Sequence, residues 1–237
     1  IGGSDVVSES VVDQLETAGY TVDRIAGNDR YATSVEIAKY MDTQLAGVYA
    51  VDMAFFARGD NFPDALAVGP VAAGALSPII LVKPTSIPGT VAGVVSTLDI
   101  TSGVIVGGSD VVSNDVRDGL VTIMQDNGGG AHPIERWAGD DRYATAIEVV
   151  KNGVEARWVD LDCVGVATGY NFPDALGGGA ALGRYGSPLL LVKGETVPST
   201  VSSWVKDNKL AIGEMDIFGG SDVVPDSVRT TLTSLLN

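Results

Sequence analysis

The chain has 237 residues, of which 30 are acidic and 15 are basic, so its net charge at pH 7 is −15. This excess of negative charge argues against binding to nucleic acid or to an anionic membrane by bulk electrostatics. The chain contains one cysteine and one histidine. A disulfide within the chain and a zinc site built from several cysteines and histidines are therefore excluded.

The first predicted element is a helix that follows the stretch GGSDVVS at 2–8. Ser4 or Asp5 is the expected N-cap, and the helix should run to about Ala18. An apolar face at helical spacing is formed by Val6, Val7, Val11, Val12 and Leu15. Such a face needs a partner, because monomers in water rarely expose one. The short loop that follows favours packing within the chain, and contact with a neighbouring molecule is the alternative.

The next stretch, RIAGNDRYAT at 24–33, predicts a strand that leads into a helix. The strand should cover 22–26. Asn28 or Asp29 is expected to cap the helix that begins just after them, because a short polar side chain can accept a hydrogen bond from the first turn.

Strands and helices then alternate to the end of the first copy. We expect strands at 53–57, 78–83 and 104–106. One helix should begin at about residue 61 and a second should cover about 88–98. A third helix should follow the stretch GGSDVVS at 107–113 and end at about residue 125. In the stretch NFPDAL, Asn61 should cap a helix. Pro63 should occupy its first turn, where the missing N–H costs nothing, and Asp64 should complement the positive helix end.

One uncharged segment, 65–82, is barely long enough to span a bilayer. It contains Pro70 and Pro78. We interpret it as a buried helix followed by a buried strand, so the sequence predicts no transmembrane segment.

After the glycines at 128–130, the whole series returns. The repeated stretches are RWAGDDRYAT at 136–145, NFPDAL at 171–176, PLLLVK at 188–193 and GGSDVVP at 219–225. Alternating strands and helices indicate parallel sheets with helices on both faces. We therefore predict an α/β fold made of tandem repeats of small parallel-sheet three-layer units. The predicted boundaries are 1–19 for the tail of a preceding repeat, 20–127 for copy one and 128–237 for copy two.

Four motifs in a fixed order, present twice, carry a family resemblance. They are R-x-A-G-x-D-R-Y-x-T, N-F-P-D-A-L, P-(I/L)-(I/L)-L-V and G-G-(S/T)-x-x-V-S. In these motifs the chain resembles the cell-wall-binding repeat 2 family. The resemblance implies an extracellular protein of the cell surface, held non-covalently on the envelope and often bound to an anionic wall polymer. The family usually carries three repeats, whereas this chain has two full copies, and Pro225 replaces the last serine of the final motif.

The strand-to-helix loops should meet at the carboxyl edge of each sheet, which is where open α/β sheets bind ligands. The candidate ligand-binding residues in these loops are Asp29, Arg30, Asn61, Asp64, Ser109, Asp110, Asp141, Arg142, Asn171, Asp174, Ser221 and Asp222. The alternative is a structural role, in which the aspartates cap helices and each arginine pairs with a carboxylate or carbonyl group.

Two further kinds of site are considered. Asp29, Asp60, Asp64 and Asp110 could together hold Mg²⁺ or Ca²⁺, which prefer carboxylate ligands, but helix capping explains the same residues without a metal. The stretch GGSDVV resembles a phosphate-cradling turn in front of a helix, although it lacks lysine and the full glycine-rich pattern of dinucleotide sites.

Catalysis is not indicated. The single histidine and cysteine, His132 and Cys163, are not repeated in the other copy, so no Cys–His or Ser–His pair is predicted. A metal-dependent hydrolase survives only as a formal possibility. We expect a non-enzymatic module, without cofactor or metal, that anchors to glycopolymer of the cell envelope. The alternative is a structural subunit of a surface layer or filament that associates through its N-terminal helix.

Overall fold

The computed structural model describes residues 1–237, which form two sheets covered by helices. The helices are α1 (Glu9–Thr17), α2 (Arg30–Leu45), α3 (Pro63–Gly74), α4 (Gly89–Thr97), α5 (Asn114–Asp126), α6 (Arg142–Glu155), α7 (Pro173–Tyr185), α8 (Ser199–Asn208) and α9 (Asp226–Leu236). The strands are β1 (Met53–Arg58), β2 (Ile79–Val82), β3 (Ser102–Val106), β4 (Ile134–Trp137), β5 (Cys163–Thr168), β6 (Leu189–Val192) and β7 (Glu214–Phe218).

All strand pairs are parallel. The first sheet has the order β2-β1-β3-β4 and the second has the order β6-β5-β7. The central strand β1 is fully buried over its four inner residues, AFFA. Such a continuous apolar run is typical of a parallel strand covered by helices on both faces. The predicted α/β fold with parallel sheets is confirmed.

Strand β4 comes from the beginning of the second copy but lies in the first copy's sheet. It pairs with β3, so that Ile105 lies opposite Arg136 and Val106 opposite Trp137. The two copies therefore share a sheet and are connected by backbone hydrogen bonds as well as by side-chain packing.

The strand predicted at 22–26 does not form, and that prediction is wrong. The segment makes a single backbone hydrogen bond, from the Gly2 N–H to the Ile25 carbonyl at 2.9 Å. At the equivalent position further along the chain, the Gly107 N–H donates to the Trp137 carbonyl at 2.9 Å. There the bond continues the series of backbone hydrogen bonds that pairs β3 with β4. A strand needs a neighbour along its length, and here only Gly2 provides one.

A cluster of buried side chains fills the junction between the copies. The Phe55 ring packs edge-on against Trp137 and Trp158, with ring centroids 5.7 and 5.9 Å away. Helix α3 packs against both α6 and α7 of the second copy. Where α3 ends, a Cβ atom on Gly74 would lie 1.9 Å from the Trp158 carbonyl oxygen, so only glycine fits there.

Helix α1 differs from its prediction in two ways. Ser8 occupies the N-cap position, rather than Ser4 or Asp5, and its side chain makes no capping bond. None of the helix residues is buried, and Val11 and Leu15 are each 43% exposed. The expected packing within the chain is therefore wrong. Helix α5 follows the other GGSDVV stretch of the first copy and does pack on the first sheet. Its residues Val116, Leu120 and Met124 are buried in the core.

None of the helices combines the length and the apolar character that crossing a membrane requires. The segment 65–82 forms most of α3 and the whole of strand β2, as predicted.

Candidate functional site

The AGxDRYAT loop is held by hydrogen bonds to its own side chains. The Asp29 carboxylate accepts from the Ala32 N–H at 2.7 Å, which confirms it as the N-cap of α2. In the second copy, one oxygen of Asp141 accepts from the N–H groups of Tyr143 and Ala144 at 2.9 and 2.8 Å. These aspartates satisfy amides that the first helical turn otherwise leaves unpaired.

The threonine and glycine of the motif form a second contact. The hydroxyl oxygens of Thr33 and Thr145 accept from the N–H groups of Gly27 and Gly139 at 3.0 and 3.1 Å. A Cβ atom on either glycine would lie 2.5 Å from a backbone carbon of the following helix. The glycine and threonine of the motif therefore hold the loop closely against the start of the following helix.

The arginines of the motif join neighbouring loops. Arg30 donates to the Gly59 carbonyl at 2.7 Å, and Arg142 donates to the Gly169 carbonyl. Those glycines follow β1 and β5, so each arginine fixes the end of the central strand of its own copy. The expectation of a carbonyl or carboxylate partner for each arginine is confirmed.

Replacing the better of the two capping residues should destabilise the chain measurably. We expect Asp141→Ala to lower the free energy of unfolding by about 1 kcal/mol, because two amides at the start of α6 lose their acceptor. The matched control is Asp140→Ala, which removes the same charge from an exposed neighbour. Urea denaturation of both variants checks this, and equal losses would contradict the capping role.

In the NFPDAL motif, the predicted capping role of Asn61 is wrong. The helix begins at Pro63 with Phe62 in the N-cap position, and the Asn61 side-chain oxygen accepts from the adjacent Phe62 N–H at 3.0 Å. Phe62 has an αR conformation, and its apolar side chain cannot accept a hydrogen bond from the helix. The hydrogen bond made by Asn61 stabilises the turn before the helix instead. Asn171 makes the same bond to Phe172 at 2.9 Å.

Asp64, in the first turn of α3, is nine-tenths buried, with 9% relative exposure, and makes no hydrogen bond within the protein. It faces the GGSDVV turn, since a Cβ atom on Gly107 would lie 2.7 Å from its Oδ2 atom. The positive φ of Gly107, +110°, also favours glycine there.

The GGSDVV stretch does not form a helix N-terminus. It forms a turn, and α5 begins only at Asn114, where the Ser113 hydroxyl accepts from the Val116 N–H at 3.3 Å. Ser109 and Asp110 therefore lie in the turn, not in the first helical turn. The comparison with a phosphate-cradling turn loses its basis, because that mode of binding needs the free amides of a helix start.

Loops of both copies enclose a polar cavity of about 400 Å³, which we call the junction cavity. It is lined by Arg58, Asn61, Pro63, Asp64, Gly108, Asp110, Val111, Gly139, Asp140, Asp141, Arg142 and Thr145. In the first copy, Arg58 ends strand β1 and the next six residues belong to the NFPDAL and GGSDVV motifs. The last five residues belong to the AGxDRYAT motif of the second copy.

The junction cavity contains part of the predicted site. Among the predicted residues it includes Asn61, Asp64, Asp110, Asp141 and Arg142. The others lie outside it and are Asp29, Arg30, Ser109, Asn171, Asp174, Ser221 and Asp222. The prediction missed Arg58 and Asp140. Asp140 stands within the repeated motif, but Arg58 is replaced by Thr168 in the second copy, so repetition could not reveal it.

Comparison with known proteins identifies the family. The model of the cell wall binding domain 2 (CWB2) family matches residues 24–117 and 136–229. The chain belongs to this family. This confirms the resemblance found in the sequence, and family membership makes the chain a cell-wall-associated binding module.

Two relatives from Bacillus subtilis (strain 168) match nearly the whole chain. The N-acetylmuramoyl-L-alanine amidase LytC is 30% identical over 232 residues, which is 98% of this chain and 42% of LytC. The amidase enhancer is 30% identical over 233 residues, 98% of this chain and 29% of that protein. The chain thus spans less than half the length of these relatives.

Two solved structures share the fold. Cwp6 from Clostridium difficile has a TM-score of 0.77 at 21% identity, with 89% of this chain and 31% of that chain covered. Cwp8 from Clostridium difficile has a TM-score of 0.77 at 24% identity, with coverages of 100% and 37%.

Negative charge dominates the junction cavity of this CWB2 pair. Burial raises the pKa of Asp64 to about 6, although the positive charges of Arg142 and Arg58 oppose this shift. Arg58 donates two hydrogen bonds to Asp60 at 2.7 and 2.8 Å. This pairing lowers the pKa of the Asp60 carboxyl, so part of the positive charge of Arg58 is balanced by a residue outside the cavity lining.

The four aspartates considered for Mg²⁺ or Ca²⁺ are not brought together. The cluster of three ligand atoms within 4.8 Å of one another consists of Cys163, Glu214 and Asp216, on β5 and β7. Burial, with the neighbouring Asp216, raises the pKa of the Cys163 thiol to about 11. Cys163 is therefore a protonated thiol at neutral pH and a poor nucleophile.

Proposed function

We propose that this chain is an extracellular CWB2 module that binds glycopolymer of the cell envelope non-covalently and anchors a larger protein there. The observation that supports the proposal is the junction cavity. Three of the repeated motifs converge on it, at the carboxyl edge of a parallel sheet.

The chemistry of the cavity suits a sugar chain. Carboxylate, amide, hydroxyl and guanidinium groups line it, and only Val111 among its residues is apolar apart from Pro63 and the glycines. Hydroxyl-rich ligands are bound by such convergent donors and acceptors, and a volume of about 400 Å³ lies within the range of small-molecule sites. The open, loop-built rim also allows a polymer to enter and leave the cavity.

Filling the cavity tests the proposal. Asp140 is exposed on the rim, and Asn28 is exposed at the same motif position of the first copy, outside the junction. We expect Asp140→Trp to weaken sedimentation with purified Bacillus subtilis or Clostridium difficile walls at least about tenfold. Asn28→Trp should bind as the unaltered chain does. Equal binding by both variants would place the binding surface elsewhere.

Wall binding should depend only weakly on salt. With a net charge of −15, the chain cannot neutralise a long run of phosphates. We expect affinity to fall less than about tenfold between roughly 50 and 200 mM salt, whereas six to ten phosphate contacts would cost about 10³ to 10⁵. Wall sedimentation over a salt series measures this slope. A collapse by orders of magnitude would reveal a local cationic patch that dominates binding.

A second candidate function is a structural subunit of a surface layer or filament. It is favoured by the unpaired outer edge of β7 and by the exposed apolar residues of α1, because open strand edges and apolar faces recruit other chains. Sedimentation velocity of the chain with and without residues 1–18 distinguishes the two functions. Polymers that require α1 would support the subunit, and a monomer at all concentrations would contradict it.

A further inference from the structure

Asp64 is a buried carboxylate of the junction cavity that has no hydrogen-bond donor from the protein. It lines the cavity, is nine-tenths buried and receives no hydrogen bond from the protein. The oxygens of this carboxylate open onto the cavity, and no donor of the protein offsets their partial desolvation. The position of Asp64 is therefore better suited to accept hydrogen bonds from a ligand than to support the fold.

The positive groups of the cavity are partly occupied. Arg58 is paired with Asp60 through two hydrogen bonds, and Arg142 donates to the Gly169 carbonyl. Free acceptors remain on Asp110 and Asp140, neither of which takes part in a hydrogen bond within the protein, and both are exposed on the rim. The cavity thus offers unpaired carboxylate acceptors beside the remaining N–H groups of its two arginines.

Charge balance leads to the same conclusion. The lining contains the carboxylates of Asp64, Asp110, Asp140 and Asp141 against two guanidinium groups. A phosphate or carboxylate placed in the cavity would lie among four like charges, which repel it at short range. A hydroxyl or ammonium group would instead find an unpaired acceptor at the base of the cavity.

We infer that the junction cavity binds a sugar residue that presents hydroxyl or ammonium donors and no anionic group, and that Asp64 is the acceptor that selects it. This inference rests on the proposed function, and it names the part of the polymer that enters the cavity. Any anionic groups of the polymer would then lie outside the cavity.

The direction in which one substitution changes the affinity for cell walls tests the inference. Asp64→Asn keeps the size of the side chain and removes its charge. If the ligand donates to Asp64, binding should weaken about tenfold or more, because a neutral amide oxygen replaces a charged acceptor and the amide NH2 group cannot accept. If an anionic group occupies the cavity, the same substitution relieves repulsion and binding should become tighter.

The experiment measures sedimentation of the whole chain with purified Bacillus subtilis and Clostridium difficile walls at pH 8. The matched control is Asp174→Asn, the same change in the NFPDAL motif of the second copy, which lies outside the cavity. It should alter affinity less than about twofold. Thermal denaturation confirms that both variants fold.

Tighter or unchanged binding by Asp64→Asn would overturn the inference and leave the proposed function intact. Failure of the unaltered chain to bind either wall would instead remove the proposed function, and the inference with it.

Discussion

Gly74→Ala should destabilise the chain by about 3 kcal/mol, because a methyl group at this position overlaps the backbone of the second copy. Its Cβ atom would lie 1.9 Å from the carbonyl oxygen of Trp158 and 2.8 Å from the carbonyl carbon. Neither atom belongs to a flexible side chain that could move aside. The end of α3 or the loop after α6 must shift, and the aromatic cluster around Phe55 and Trp137 would open with it.

The control for this prediction is Gly93→Ala. Gly93 lies inside α4, and an added Cβ atom would meet nothing within 4 Å. Alanine is favoured over glycine in a helix, so this variant should gain about 0.5–1 kcal/mol. Guanidinium denaturation of both variants measures the difference. A stability of Gly74→Ala equal to that of the unaltered chain would show that the two copies do not pack closely through α3.

Local elements of the fold were predictable because their determinants lie close together in sequence. Asp29 caps α2 through an amide three residues away, and strand β1 is recognisable as a run of buried apolar residues. The partner of β4 was not predictable in this way. The offset between copies assigned residues 134–137 to the second copy, but the hydrogen bonds that define a strand connect them to Ser102–Val106.

The candidate site was only partly predictable for a related reason. Each motif occurs in both copies, so the sequence predicted two equivalent sites. The junction cavity needs the NFPDAL and GGSDVV loops of one copy beside the AGxDRYAT loop of the next, a combination that this chain contains once. Asp64 and Asp174 therefore have the same motif position but different surroundings.

The N-terminal helix shows a further limit of sequence patterns. The spacing of Val11 and Leu15 correctly predicted a helix with an apolar face. Periodicity describes the face and not its partner, and within this chain the place beside the first sheet is taken by α5. Both residues consequently remain exposed.

Asp64→Asn should stabilise the folded chain at neutral pH. Burial raises the pKa of Asp64 to about 6 from the ordinary value of 3.8, partly against the charges of Arg142 and Arg58, while Asp110 adds to the rise. The folded state therefore disfavours the ionised form. Such a difference in pKa corresponds to about 2–3 kcal/mol of lost stability once the group is fully ionised in both states.

The sign of the pH dependence follows from linkage. Below about pH 3 the carboxyl is largely protonated in the folded and unfolded states, so its burial carries no charge penalty. The penalty grows as the pH rises from about 3 to 6 and is nearly complete at about pH 7. The gain in unfolding free energy from Asp64→Asn should therefore be about 2–3 kcal/mol at pH 7 and should vanish near about pH 3.

Urea denaturation at several pH values tests this prediction, with Asp174→Asn as the control for removing one charge from an acidic chain. The control should change stability by less than about 0.5 kcal/mol at each pH. An equal gain for both variants would assign the effect to net charge and not to burial. A gain confined to Asp64→Asn, combined with weaker wall binding, would show that the cavity keeps an ionised carboxylate at the expense of stability because its ligand requires one.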